Sequence, residues 1–364
     1  MVGIQCLLGV LLFFLIDGAI FRSGWYFRRV APLSSLGQMA IAIDDIRHIP
    51  TGKHAVLVIG DSRAGEGFSM PTAQRAASAM DLPYVFYNAA VAGTTPRVWY
   101  YLLRQIDNPG ERLAAVAVMV TSYHDDEPED LAERPSDIAF VHPLLTLTDL
   151  TDFPGSFPSG ATRLQAVEAI LFKGLFYGAD VRSFLANPAE RIRSVAAWHR
   201  HGFEWIRNYP GRDPSLQGLG LDLTTGKLTV PAGAPSLQTD MLPSYAEELR
   251  RFHGRPPDNA GAAAYRREWL GRIAALCRQA NVRLFVYRIP RGPLHDLVDA
   301  DDAPTGVLAD MAQAGSLELL PARLFDDLER PEFFFDRLHM DSAGRALFSD
   351  RLARAIMLRL QAAP

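Results

Sequence analysis

"VLVIGDSRAGEGFS", residues 56–69, runs an apolar stretch with the character of a buried strand straight into Gly60, Asp61, Ser62 and Arg63. Two readings share this local geometry. Ser62 caps a helix at a strand-to-helix turn, the common use of Ser and Asp there, or it is a nucleophile presented at the carboxyl edge of a sheet, where α/β proteins place their ligands. The stretch alone favours the cap. Partners elsewhere in the chain decide.

Outward from this stretch the pattern alternates. "HAVLVIG" (54–60) reads as a buried strand, "PTAQRAASAM" (71–80) as a helix, "YVFYNAA" (84–90) as a strand, "PRVWYYLLRQI" (96–106) as a helix and "AAVAVMVTS" (114–122) as a third strand. This rhythm predicts an α/β fold with a parallel sheet covered by helices, with Trp99, Tyr100 and Tyr101 in its core. The rhythm breaks over 125–257, an insertion read as a lid or a subdomain. It opens with the acidic "HDDEPEDLAE" and carries a helical pattern over 188–206 and a hairpin signal in "LTTGKLTV" (223–230). The alternation resumes with a helix over 259–280, a strand over 282–289 and an amphipathic helix over 341–360, with Asp341 or Ser342 placed to cap it.

With 364 residues, 48% of them apolar, the chain can bury a large core. A net charge of -4 and the lack of any long run of Lys or Arg set nucleic acid aside as a partner. Cys6 and Cys277 are too isolated for a disulfide framework or a cysteine metal site. His199 and His201 stand two apart on a helical pattern and so point away from each other, and "HDDE" (124–127) reads as a solvated acidic loop rather than a cation site. Neither a metal nor an organic cofactor is expected.

Residues 2–21 are apolar except for Gln5 and Asp17, long enough for a single uncleaved anchor over 1–21. A connector over 22–53 follows, with a short helix around 36–46. Arg22, Arg28 and Arg29 flank the span, and the positive-inside tendency would hold that side in the cytoplasm. Asp17 either faces a partner helix or sits at the interface, with the span ending near residue 16.

The partners for Ser62 lie in "FFFDRLHMDSAGRALFSDRLARAI" (333–356). Asp336 and His339 are three apart, a spacing that lets a tight turn bring the carboxylate to imidazole Nδ1 while Nε2 faces outward. Taken singly, each is an ordinary loop residue. Together they form a dyad that lacks only a nucleophile.

Gly60-Asp61-Ser62 and Asp336-Arg337-Leu338-His339, in this order at the two ends of an α/β pattern, resemble the SGNH/GDSL hydrolase superfamily over residues 54–122 and 259–360. The resemblance implies an SGNH-like (flavodoxin-like) three-layer parallel sheet, here with an N-terminal transmembrane helix and a mixed insertion, so that 54–364 is one catalytic domain. It also implies Ser62 as nucleophile, His339 as general base and Asp336 as its orienting carboxylate, with the N–H groups of Ser62 and Gly93, in "NAAVAGTT" (88–95), as oxyanion donors. The family's third donor is an asparagine after the third strand. This chain has "TSYHDD" (121–126) there, so Ser122, or else Tyr123 or His124, is the candidate substitute. Arg63 is a candidate for an anionic group of the substrate.

The arrangement of anchor, connector and domain is similar to the SGNH-like proteins of alginate O-acetylation and to the D-alanyl transfer protein of teichoic acid modification. That similarity implies O-acyl, first of all acetyl, transfer to a cell-envelope polysaccharide. The domain would lie in the periplasm, held at a bacterial inner membrane beside a membrane-bound O-acyltransferase partner, against the arginine count. Two alternatives stay open: a membrane-anchored carbohydrate esterase with the same triad, and a non-catalytic SGNH-like glycan-binding or assembly protein, for which the missing asparagine speaks.

Overall fold

The computed structural model describes residues 2–126, 129–207, 209–251, 259–297 and 303–362. Five strands form one sheet: β1 (Ala55–Ile59), β2 (Val85–Asn88), β3 (Leu113–Val120), β4 (Arg283–Arg288) and β5 (Glu318–Leu319). Their order is β2-β1-β3-β4-β5 and every neighbouring pair is parallel. All residues of β1 and β3 are buried, as continuous apolar strands are when helices cover both faces. The chain is therefore a mixed α/β protein with one N-terminal apolar helix.

The covering helices are α2 (Ser35–Arg47), α3 (Ser62–Gly67), α4 (Met70–Ala79), α5 (Pro96–Leu103), α7 (Ala260–Gln279) and α8 (Ser342–Ala362), after the N-terminal apolar helix α1 (Val2–Ile16) and with α6 (Pro188–Arg207) in the insertion. Helix α4 packs on α8, and α5 packs on α7. Right-handed crossovers place one pair on each face of the sheet. The order reverses at β1 and β3, which opens a crevice beyond their carboxyl ends, and Ser62 begins the helix that leaves β1 there.

Within 22–53, α2 buries Met39, Ile43 and Ile46 in the main core, and Ile49 follows them. The insertion divides in two. Phe153, Phe157, Ala166, Ala169 and Ile170 belong to the main core, whereas Leu216, Leu219, Leu242, Tyr245 and Leu249 close a small core of their own with Leu294. The hairpin signal becomes a two-stranded ribbon, Gly220–Leu221 with Leu228–Thr229.

The acidic loop after β3 is not the solvated loop that its charge suggests. His124 and Asp125 are buried, Asp125 pairs with Arg266 of α7 at 3.4 Å and accepts the Val307 N–H at 3.0 Å. Arg266 spans the loop's carbonyls as well, so a neighbouring element supplies the cation for the buried Asp125. Glu127 of that run lies outside the described residues, as does the side chain of His201.

Residues Ile4–Arg22 form one continuous helix of mean hydropathy 2.3, long and apolar enough to cross a membrane. Its last turn, Asp17–Arg22, widens to π-helical spacing. Asp17 is buried there against the domain: its carboxylate takes Arg22 Nε at 2.7 Å and the Gly174 N–H at 2.7 Å. Arg22 Nη2 also donates to the carbonyls of Ile170 and Leu171, at 2.8 and 2.6 Å. The polar residue that would be costly in lipid is thus the clasp between the apolar helix and the insertion.

Candidate active site

At the end of β1, Gly60 is required by close packing, because a Cβ there would sit 2.5 Å from Met119 Cγ and 2.6 Å from Ala64 Cβ. The cap that follows is Asp61. Its Oδ1 accepts the Arg63 N–H at 2.9 Å, which relieves an orphan donor of α3. Ser62 is therefore free of the capping role that its neighbour fills. Its Oγ lies 3.0 Å from His339 Nε2.

The dyad is built by a turn. Phe334 and Met340 form an antiparallel bridge, and the His339 carbonyl accepts the Phe335 N–H at 2.8 Å, closing 335–339 into a loop. Asp336 Oδ1 accepts the N–H groups of Leu338 and His339 at 2.8 and 2.7 Å, while Oδ2 meets His339 Nδ1 at 2.9 Å. Burial opposes charge on Asp336, yet the hydrogen bonds and charge of His339 and the two backbone N–H groups win, holding the carboxyl below its ordinary range. Burial likewise opposes charge on His339, but Asp336 and then Glu66 outweigh it and raise the imidazole. A neutral His339 with Nδ1–H on Asp336 presents a lone pair at Nε2 to the serine hydroxyl.

The loop after β2 is tied to the same corner. Val91 N–H and Thr94 Oγ1 donate to the Gly60 carbonyl at 3.0 and 3.2 Å. Gly93 has φ +74, a conformation that favours glycine. Among the described residues the N–H groups of Ser62 and Gly93 have no acceptor. Ser122 Oγ accepts the His124 N–H at 3.1 Å and also bonds Asp126, whose carboxyl burial pushes up. Tyr123 Oη donates to the Leu320 and Val286 carbonyls, and His124 Nδ1 meets Thr305 Oγ1 at 2.9 Å. These three side chains are engaged within the loop after β3 and with the β4–β5 side. Arg63 lies on its own helix's cap, with Nη2 2.6 Å and Nε 3.1 Å from Asp61 Oδ2, so its charge is matched locally. The Arg63–Asp61 pair lines a cavity of about 90 Å³ together with Thr94, Trp99, Met119 and Arg134.

Four residues join the site without having been singled out in the sequence. Asn88, at the end of β2, donates to the carbonyls of Gly65 and Phe68 at 3.0 and 3.1 Å and accepts the Ala90 N–H at 3.1 Å, clamping α3 to the loop that carries Gly93. Glu66 is one helical turn after Ser62, the spacing that puts side chains on one face, and its Oε1 lies 3.9 Å from His339 Nε2. From the insertion, Arg212 Nη2 donates to Glu66 Oε1 at 2.7 Å and Tyr209 Oη to Oε2 at 3.2 Å. The i,i+4 relation was the available signal for Glu66. Nothing local to residues 209–212 announced that they would return to the neighbourhood of Ser62.

Glu66 and Arg212 give opposite expectations for the pH dependence of any reaction that uses His339 as base. The base must be neutral, so kcat/KM rises with pH as His339 loses its proton. Glu66 raises that proton's affinity and Arg212 lowers it. In Glu66→Gln the acid limb of the profile moves to lower pH, and in Arg212→Gln to higher pH. A purely structural role for the pair would lower kcat in both variants and leave the limb in place.

The geometry thus joins Ser62, His339 and Asp336 into one hydrogen-bonded relay at the sheet's carboxyl edge, with Gly93 in the adjoining loop. No family model matches the chain, and no curated protein matches it.

Proposed function

We propose that the protein is a membrane-anchored, SGNH-like serine O-acyltransferase that moves an acyl group, in the first place acetyl, onto a cell-envelope polysaccharide. The observation that carries this reading is the 3.0 Å approach of Ser62 Oγ to His339 Nε2, with Asp336 on Nδ1. The strand order, with the nucleophile at the reversal point, is that of a doubly wound, flavodoxin-like sheet and fits the same reading.

In the proposed cycle, His339 Nε2 takes the Ser62 proton as Oγ attacks the donor's acyl carbonyl. The Ser62 and Gly93 N–H groups receive the oxyanion, and the imidazolium, held by Asp336, returns the proton to the leaving alcohol or thiol. A sugar hydroxyl then gives its proton to His339 and attacks the acyl-enzyme, which restores Ser62. Two features support transfer over hydrolysis: an apolar helix that would hold the domain beside a membrane-bound O-acyltransferase partner, and the 209–213 segment of the insertion, which meets the rim of the site at Glu66.

The test is product analysis with the full chain, an activated acetyl ester and oligosaccharide acceptors. Ester-linked acetyl on the sugar, formed only with Ser62 present, supports transfer. Free acetate released at a rate that no acceptor changes would make the protein an esterase, and no Ser62-dependent turnover of any ester would leave the non-catalytic reading. The periplasmic side of a bacterial inner membrane is the second half of the proposal. A C-terminal alkaline phosphatase fusion is expected to be active, and an inactive fusion beside a fluorescent cytoplasmic reporter at the same position would reverse the orientation.

A further inference from the structure

A cavity of about 900 Å³ lies where the apolar helix enters the domain, remote from Ser62. Ala19 and Trp25 form one wall, and α6 supplies Ile192, Arg191 and His199 on the other, with Arg28 and Arg29 at the rim. Among the described residues no Asp or Glu lines it. Arg29 stacks on the Trp25 ring at 3.9 Å and donates to the Trp25 carbonyl, which fixes its guanidinium. Arg191 is held by Asp180 at 2.8 Å, whereas Arg28 is exposed and makes no ion pair among the described residues. Two further cavities adjoin Arg28: one of about 330 Å³ adds Arg22, Arg47 and Lys173, and one of about 310 Å³ is lined by Asp44 and Asp45.

Aromatic contacts tie the apolar helix to the domain. Phe13 and Phe14 both meet the Phe172 ring at 6.1 Å, so the domain reaches alongside the helix some nine residues before it ends. At 1.5 Å per residue that is about 13 Å of overlap. Trp25, Arg28 and Arg29 follow directly on the end of this apolar helix, the place where Trp and Arg anchor proteins to lipid headgroups when such a helix spans.

We propose that the large cavity binds the phosphate group of an anionic amphiphile, a membrane phospholipid whose phosphate is received by Arg28 and Arg29 and whose chain leaves along Ala19 and Ile192. Arg29, held on Trp25, and Arg28, which makes no ion pair among the described residues, favour an anion, and the apolar wall continuous with the N-terminal helix favours one carrying an acyl chain. This inference rests on the helix Ile4–Arg22 spanning a bilayer and not on the chemistry of Ser62, so a Ser62→Ala chain binds lipid as the wild type does.

The test uses the full chain in detergent, with phosphatidylglycerol, phosphatidylcholine and inorganic phosphate as probes, read by native mass spectrometry and by thermal shift. Phosphatidylglycerol is expected to bind in preference to phosphatidylcholine. Arg28→Gln should weaken it by about tenfold or more, the weight of a charge-assisted hydrogen bond. Ile192→Trp, which narrows the apolar wall without altering charge, should also weaken it. Arg354→Gln, which removes the same charge from an exposed position on α8, should change nothing. Equal retention of both lipids, or equal effects of Arg28→Gln and Arg354→Gln, would overturn the site. Inorganic phosphate binding as tightly as phosphatidylglycerol, with the same Arg28 dependence, would overturn a lipid as its source.

Discussion

Ser62→Ala is expected to abolish acyl-enzyme formation and to lower kcat for an activated ester on the order of 10⁴-fold or more, the usual cost of deleting a serine nucleophile. His339→Ala should cost about as much, and the double variant little more than either, because the two side chains act as one unit across their 3.0 Å contact. The variant should fold as the wild type does. Ser62 makes no capping bond, since Asp61 carries that role, so removing Oγ opens no orphaned donor in α3. Stoichiometric labelling by a fluorophosphonate, lost in Ser62→Ala at unchanged melting temperature, is the direct measurement. Retained labelling in that variant would assign the nucleophile elsewhere.

The Gly-Asp-Ser turn was legible because strand, turn and helix are local events, and residues 54–122 carry them with little outside help. The strands over 84–90, 114–122 and 282–289 were legible for the same reason, and their cores emerge as β2, β3 and β4. The dyad was legible because Asp336 and His339 are close enough in sequence for a single turn to join them. What could not be read was set by contacts over long separations. Arg212 reaches Glu66 across 146 positions, and Arg266 turns an acidic loop into a buried network from 141 positions away. Composition registers those charges as solvated. Only the fold supplies their partners. Asp17 is the same case in the N-terminal apolar helix: its clasp involves Gly174, and the choice between partner helix and interface had no local answer.

The largest stability effect is expected from Asp137→Ala, because Arg97 and Asp137 are both fully buried and pair at 3.0 Å. Arg97 lies on α5, against the sheet. Asp137 opens the part of the insertion that belongs to the main core, and Thr95 Oγ1 donates to the same carboxylate oxygen at 2.8 Å. Arg97 Nη2 further holds the carbonyls of Ala132 and Ser156 at 2.8 and 3.0 Å, and its guanidinium lies 3.9 Å from the Phe157 ring. Truncating Asp137 leaves a cation in a dry interior with only carbonyls and rings around it, a loss of about 3–5 kcal/mol. The exposed pair Arg354–Asp350 is the contrast, worth well under about 1 kcal/mol. The pair itself is not a large net gain. Among the described residues Arg97 Nε and Asp137 Oδ1 lack partners, and burial pushes the Asp137 carboxyl up against the pull of Arg97 and Thr95. Replacing both by apolar residues, Arg97→Met with Asp137→Leu, should therefore recover part of what Asp137→Ala loses. Urea melts of the single and double variants decide between the two accounts. If the double variant is less stable than Asp137→Ala, the ion pair holds the insertion to α5 by its own attraction. If it is more stable, the pair fixes which elements meet, and the apolar contacts of Phe153 and Phe157 supply the stability.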